Sequence, residues 1–249
     1  MEEYENLGHM TQVDIDSIIK PSYFIPHHCI VRPQSRTTKL RVVFDASAKS
    51  STGMSLNDLM YTGPTVQSEL STILLRFRLP RFVFTTDVEK MYRQILIQPD
   101  ERKFQLIILR KDSSLLIKHY QLNTITYGTK SAPYFANKCL QKIAKENALQ
   151  YPLGDEFLQD NFYVDDGIGG SDSLTTTMEI QQQLIHILKQ RGLNLRKWCA
   201  NHSQLLQNVG MEEQEVDIDF DNDINQTIKT LGLTWIPNSI LRKGMPWEL

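Results

Sequence analysis

Asp165 and Asp166 stand side by side in the stretch NFYVDDGIGG, between apolar residues and a glycine. Adjacent carboxylates repel, and burying them is costly unless a positive group lies beside them. One reading is a surface turn, since Asp-Gly is a common turn pair. The other is a cation site. Apolar residues on either side raise the pressure to bury the pair, which weakens the plain-turn reading.

The surrounding pattern limits what fold can hold such a turn. RFVFTTD, Arg81 to Asp87, reads as a strand ending in a third carboxylate, with one or two helical turns after it. KLRVVFDAS (39–47) reads as another strand. FQLIIL (104–109) and LLIKHYQL (115–122) flank a hairpin turn, RKDSS. Helical spacing of apolar residues predicts helices over Thr65–Arg78, Ser131–Leu149 and Leu174–Gln190, the last ended by Gly192. Residues 157–170 read as strand, turn, strand around the two aspartates, and LNLRKWCAN and TLGLTWIP as short strands. Residues 1–22 read as a loosely structured lead-in, and 50–64 as turn-rich. Hairpins interrupt the crossover pattern, so an α+β domain fits better than a doubly wound sheet.

The chain has 249 residues, enough to bury a sizeable core in one large or two small domains. Its three cysteines, Cys29, Cys139 and Cys199, are widely spaced and form neither a zinc pattern nor a disulfide framework. The acidic opening is no secretory signal, and no run approaches the roughly 18 apolar residues of a membrane helix. A net charge of −2 argues against binding nucleic acid by bulk charge. The distribution is less even. Residues 32–49 carry five bases (Arg32, Arg36, Lys39, Arg41, Lys49) against Asp45, whereas Met211–Asn225 holds seven acids and no base. Setting those seven aside turns −2 into +5 for the rest, so a local basic surface is available. In the acidic stretch Asp217, Asp219, Asp221 and Asp223 alternate, but Asn222 and Ile228 stand where a calcium loop needs glycine and glutamate. Val216, Ile218 and Phe220 suggest instead an edge strand with a charged face.

If the strand ending at Asp87 neighbours the hairpin of Asp165 and Asp166, three carboxylates converge. Hard oxygen ligands at that density suit magnesium or manganese. Two such ions can activate a 3′-hydroxyl and stabilise a leaving pyrophosphate. Lys39 and Arg41 have charges suited to an approaching triphosphate. The plain alternative for Asp87 is an exposed strand end or a helix cap.

FYVDD, Phe162 to Asp166, resembles the catalytic turn of reverse transcriptases. TTDVEKMYRQI, YGTKSAPYFANKCL, GLNLRKW and TLGLTWIP resemble further motifs of that family, in the family's order. The wording of PHHCIVRPQSRTTKLRVVFDAS and the segments after it is similar to the Pao/BEL class of long-terminal-repeat retrotransposons, over about residues 2–237.

The resemblance implies a right-hand polymerase. Residues 1–22 would be a lead-in from the upstream polyprotein, 23–80 part of the fingers, 81–210 the palm with an interleaved fingers hairpin, and 211–249 a primer-grip-like hairpin and tail. An antiparallel palm sheet would pack on helices. Asp87, Asp165 and Asp166, with the backbone carbonyl of Val88, would hold two Mg2+ or Mn2+ ions. Arg41 would cover the triphosphate with Lys39 nearby. Tyr92 would be a steric gate, whose ring leaves no room for a 2′-hydroxyl. Tyr127 and Gly128 would flank the nascent base pair, with tyrosine where many relatives have glutamine. Lys197, rather than Arg196, would protonate pyrophosphate, since a strand sends the two side chains to opposite faces. Leu231, Gly232, Leu233 and Trp235 would grip the primer.

The implied partners are an RNA or DNA template with primer, dNTPs, and either a second copy or the missing polyprotein domains, with no membrane. The implied setting is cytoplasmic, in retrotransposon particles. Residues 238–249 are too few for a thumb, so the expectation is a fingers-and-palm portion with weak, distributive polymerisation. The alternative expectation is an inactive nucleic-acid-binding or structural remnant.

Overall fold

The computed structural model describes residues 1–17, 22–31, 33, 40–110, 112–215 and 227–237. Its strands are β1 (Met10–Val13), β2 (His27–Val31), β3 (Leu40–Phe44), β4 (Phe82–Val88), β5 (Leu106–Leu109), β6 (Lys118–Leu122), β7 (Phe162–Tyr163), β8 (Asp166–Ser171), β9 (Leu195–Ala200), β10 (Ile228–Thr230) and β11 (Leu233–Trp235). Its helices are α1 (Glu2–Asn6), α2 (Leu56–Leu59), α3 (Leu70–Phe77), α4 (Met91–Gln94), α5 (Ala132–Asn147), α6 (Pro152–Asp160) and α7 (Leu174–Lys189). The pairings between strands are antiparallel, which makes the fold α+β. The chain divides into two compact units: residues 1–65 with 92–136, and residues 66–91 with 137–249.

In the first unit β1, β6 and β5 form a sheet, and β2 pairs with β3. Residues 1–17 are not a loose lead-in. Met10 lies opposite Leu122 in the β1–β6 ladder and is buried with Ile25, Phe44, Ile107 and Tyr120. Burial of these side chains supplies what short local segments lack on their own. The 50–64 stretch contains α2, stabilised by a capping box between Ser55 and Asp58. Arg93 is buried with its guanidinium carbon 4.7 Å from the ring centre of Tyr4, 4.9 Å from Phe44 and 4.8 Å from Tyr127. Its Nη1 donates to Thr124 Oγ1 at 3.3 Å, and the rings face the rest of the cation.

In the second unit the sheet order is β7-β8-β4-β9, with β10–β11 as a separate hairpin. Phe84 of β4 stacks on Phe157 at 5.1 Å and meets Trp198 at 5.3 Å. A Cβ at Gly170 would collide with the Phe82 carbonyl, so the β8–β4 approach requires glycine there. Two expectations fail here. The helix expected over Thr65–Arg78 starts only at Leu70, because the Val66 carbonyl accepts from Gln141 Nε2 rather than from a helical amide. Residues 157–160 are the end of α6, not a strand. That helix has Pro152 in its first turn, and Gly154 lies close against Gln183 and Ile187 of α7. The acidic 216–226 segment and residues 238–249 lie outside the described residues. Among those described, no helix is long and apolar enough to cross a membrane.

Arg93→Ala removes the three ring contacts and leaves a void. Chemical denaturation should show stability lower by about 2–4 kcal/mol.

Candidate active site

β4 is paired on both edges, and that register assembles the site. Asp87 lies opposite Asp166 of β8 on one side and opposite Arg196 of β9 on the other. Directly opposed residues share a face of the sheet. The Val88 amide donates to the Asp165 carbonyl at 2.8 Å, tying the aspartate turn to the end of β4.

β9 carries a bulge against β4. Thr85 faces Cys199 but Asp87 faces Arg196, so β9 has one residue more than β4 in that interval. Lys197 has φ 51, a left-handed conformation costly for a residue with a Cβ. The Arg196 carbonyl accepts from Thr86 Oγ1 at 3.0 Å. Arg196 Nε lies 3.0 Å from Glu89 Oε2, an ionic contact without hydrogen-bond alignment. Lys197 Nζ donates to Asp87 Oδ2 at 2.9 Å. The bulge therefore separates the two basic side chains where simple strand alternation was expected to do so.

The expected neighbourhood of strand ends is present. Among the described residues no three His, Cys, Asp or Glu side chains are grouped so as to hold an ion. Asp87 and Asp166 line one pocket with Lys197, whereas Asp165 does not line it. Asp165 belongs to the turn between β7 and β8, after the left-handed Val164, rather than to the Asp87–Asp166 ladder.

The pocket also receives Glu215 and residues 228–231 of the β10 hairpin. It encloses about 130 Å³. Glu215 went unnoticed in the sequence because it sits in a general run of acids. Its amide donates to the Trp198 carbonyl at 3.0 Å, which brings it beside the bulge.

The charges are unbalanced. Burial, then repulsion from Asp165 and Asp87, pushes the Asp166 carboxyl up to about 7. Burial, with repulsion from Asp165 and Glu215, also raises Asp87 despite its partner Lys197. For Lys197 burial pulls downward, but Asp87, Glu215 and Asp166 together leave the ammonium raised. Hard oxygen donors with excess negative charge are a donor set that fits a divalent cation.

Backbone strain gathers in the same unit. The described non-glycine residues with positive φ are Lys90 (47), Val164 (57), Lys197 (51) and Leu231 (48). Val164 immediately precedes the aspartates, and Leu231 and Lys197 line the pocket. Leu231 and Gly232, both left-handed, form the two-residue turn between β10 and β11. Leu233 is half-buried, while Trp235 is fully buried with its ring 5.4 Å from Phe77 and holds the hairpin to the core.

The other expected site residues lie in the first unit. Arg41 is exposed on β3, 5.7 Å from the Tyr127 ring. Tyr127 donates to the Val42 carbonyl and shares a 3.0 Å hydrogen bond with the Tyr4 hydroxyl. Burial, then the Tyr4 contact, pushes its phenol up to about 12, so it stays neutral at ordinary pH. A Cβ at Gly128 (φ 96) would run into the Phe44 carbonyl, so the backbone approaching most closely there is the chain's own. Asn57 was not singled out in the sequence. It donates to the Gly128 carbonyl at 2.9 Å and accepts from the Lys130 amide at 2.7 Å, fixing this loop. Tyr92 is half-buried on α4. Lys39 lies outside the described residues.

This is an α+β domain with paired carboxylates across a central antiparallel strand. The family model for reverse transcriptase (RNA-dependent DNA polymerase) matches residues 26–234, and the chain belongs to that family. No curated protein matches the chain.

The Asp166 shift has a definite sign. Between its ordinary value of 3.8 and about 7 the folded state holds a proton that the unfolded state releases. Stability from this group is therefore full below pH 3.8 and is lost as pH rises through 7. Asp166→Asn removes that dependence. Denaturant titrations should show the variant gaining about 1–3 kcal/mol on wild type at pH 8, allowing for partial exposure, and little at pH 4.

Proposed function

We propose that this chain is the fingers-and-palm portion of a reverse transcriptase from a Pao/BEL-class retrotransposon polyprotein, and that it binds primed template. The motif wording supports the subclass, and the family match supports the enzyme type. The proposed setting is cytoplasmic, in retrotransposon particles, with a second copy or other polyprotein domains completing the grip on nucleic acid.

In the catalytic reading the chain is an RNA-directed DNA polymerase that adds dNTPs to a primer 3′-OH. The observation that carries it is the register pairing of Asp87 with Asp166, with the Asp165 carbonyl bound to the Val88 amide. Asp87, Asp165, Asp166 and the Val88 carbonyl would hold two Mg2+ or Mn2+ ions. Bound there, the ions would acidify the primer hydroxyl and neutralise the leaving pyrophosphate. Lys197, beside Asp87, would deliver a proton to that pyrophosphate. Arg41, with Lys39, would hold the triphosphate. The Tyr92 ring would exclude a 2′-hydroxyl, and Tyr127 and Gly128 would shape the loop beside the new base pair. The turn at Leu231 and Gly232 and the strand Leu233–Trp235 would position the primer end.

A specific observation favours the second reading, a nucleic-acid-binding or structural remnant without catalysis. Lys197 already bonds one oxygen of Asp87, and among the described residues no three His, Cys, Asp or Glu side chains are grouped so as to hold an ion. As the side chains stand, this reading is the better supported of the two. The catalytic reading requires Lys197 to leave Asp87.

Dependence of dNTP incorporation on Mg2+ or Mn2+, on a primed RNA template, separates them. Incorporation that Asp165→Asn with Asp166→Asn abolishes in folded protein supports the polymerase. None by folded wild type, at enzyme excess and with primed template bound, supports the remnant. In an active preparation, Tyr92→Ala should raise ribonucleotide relative to deoxynucleotide incorporation about tenfold or more, read from competing substrates.

A further inference from the structure

Val164 sits between the strand Phe162–Tyr163 and the two aspartates, at φ 57. For a β-branched residue this conformation is strained, and it persists only where the surroundings over-determine it. Its amide donates to Gln67 Oε1 at 3.2 Å. The same oxygen accepts from Asn137 Nδ2 at 2.7 Å. One residue earlier the Val66 carbonyl accepts from Gln141 Nε2. Asn137 and Gln141 are four residues apart on α5, so their amides lie on one helix face and hold residues 66 and 67 together. α3 begins at Leu70, which leaves Gln67 outside the helix. A helix starting at Thr65 would direct its side chain along the helix surface instead.

We infer that Gln67 is a positioning residue: its side-chain oxygen, itself aimed by Asn137, clamps the strained Val164 peptide and so sets the placement of Asp165 and Asp166. The inference rests on the reading of those aspartates as the cation-binding centre, and extends it to a residue far from them in sequence. The Val88–Asp165 hydrogen bond holds the turn from the β4 side, and Gln67 holds it from the α5 side. Residues that orient ligands without touching the ion change affinity by about 10–100-fold when removed.

The test is a double-mutant cycle between Gln67→Met and Val164→Gly. Methionine keeps volume but offers no comparable acceptor, and glycine adopts φ 57 without strain. Two quantities are read in the whole chain: amide exchange of Val164 by NMR, or of the segment spanning it in the glycine background, and Mn2+ affinity from paramagnetic titration. Gln67→Met alone should speed exchange and weaken Mn2+ binding by about tenfold or more. In the Val164→Gly background the same substitution should change each by no more than about twofold. Unchanged exchange in Gln67→Met, or an equal loss in both backgrounds, overturns the clamp.

Gln67→Glu retains an acceptor oxygen and keeps the inference testable should the methionine variant not fold. Wild-type protection of Val164 in that variant supports the clamp, and lost protection overturns it. The exchange coupling does not require catalysis. Coupling in a protein that incorporates no dNTP would refute the polymerase reading alone, whereas active protein without coupling would refute the clamp alone.

Discussion

The second unit depends on the pairing of β4 along both edges. A strand so enclosed has its register set twice, by β8 and by β9, and a one-residue slip would force Val83 and Phe84, buried on opposite faces, each into the packing of the other. That constraint holds Asp87 opposite Asp166. Phe84, stacked on Phe157 and packed at a tilt against Trp198, anchors the same strand in the core three residues earlier. The carboxylates are thus placed by apolar packing that gains nothing from their charge.

Once placed, they are electrostatically uncomfortable. Burial and mutual repulsion favour the protonated form of Asp166, and Lys197 compensates only part of the charge on Asp87. A lysine at a left-handed bulge, a valine at a left-handed turn and a leucine in a left-handed hairpin stand around this region. None of these residues suits its backbone conformation. Their presence where like charges are buried is the pattern expected when a site, rather than stability, dictates the local structure. It also explains why hydrogen bonds from remote residues, Gln67 above all, converge on that turn.

The first unit follows a different logic. Its organising group is a buried cation, Arg93, enclosed by the rings of Tyr4, Phe44 and Tyr127 instead of by a carboxylate. Ring faces stabilise the guanidinium without adding an anion. The N-terminal helix therefore contributes to the interior, and Tyr4 and Arg93 together fix the Tyr127 ring beside the Arg41 side chain.

The sequence by itself determined a great deal. The α+β class, the β5–β6 hairpin, helix α7 and the strand carrying Asp87 follow from short-range apolar periodicity, which survives in any context. The ordered motifs around Asp87, Tyr127, Asp165 and Trp198 point to the family that matches residues 26–234. Other features depended on tertiary structure. Helix α6 was hidden by Pro152 and Gly154, which suit a helix only because of its first turn and its packing on α7. The late start of α3, the bulge at Lys197 and the approach of Glu215 are each decided by partners far along the chain. Residue order could bring the aspartates to neighbouring strands. Whether their side chains meet one another or a lysine was settled by register and by a single extra residue in β9, because hydrogen-bonded pairing across strands has no signature in local sequence.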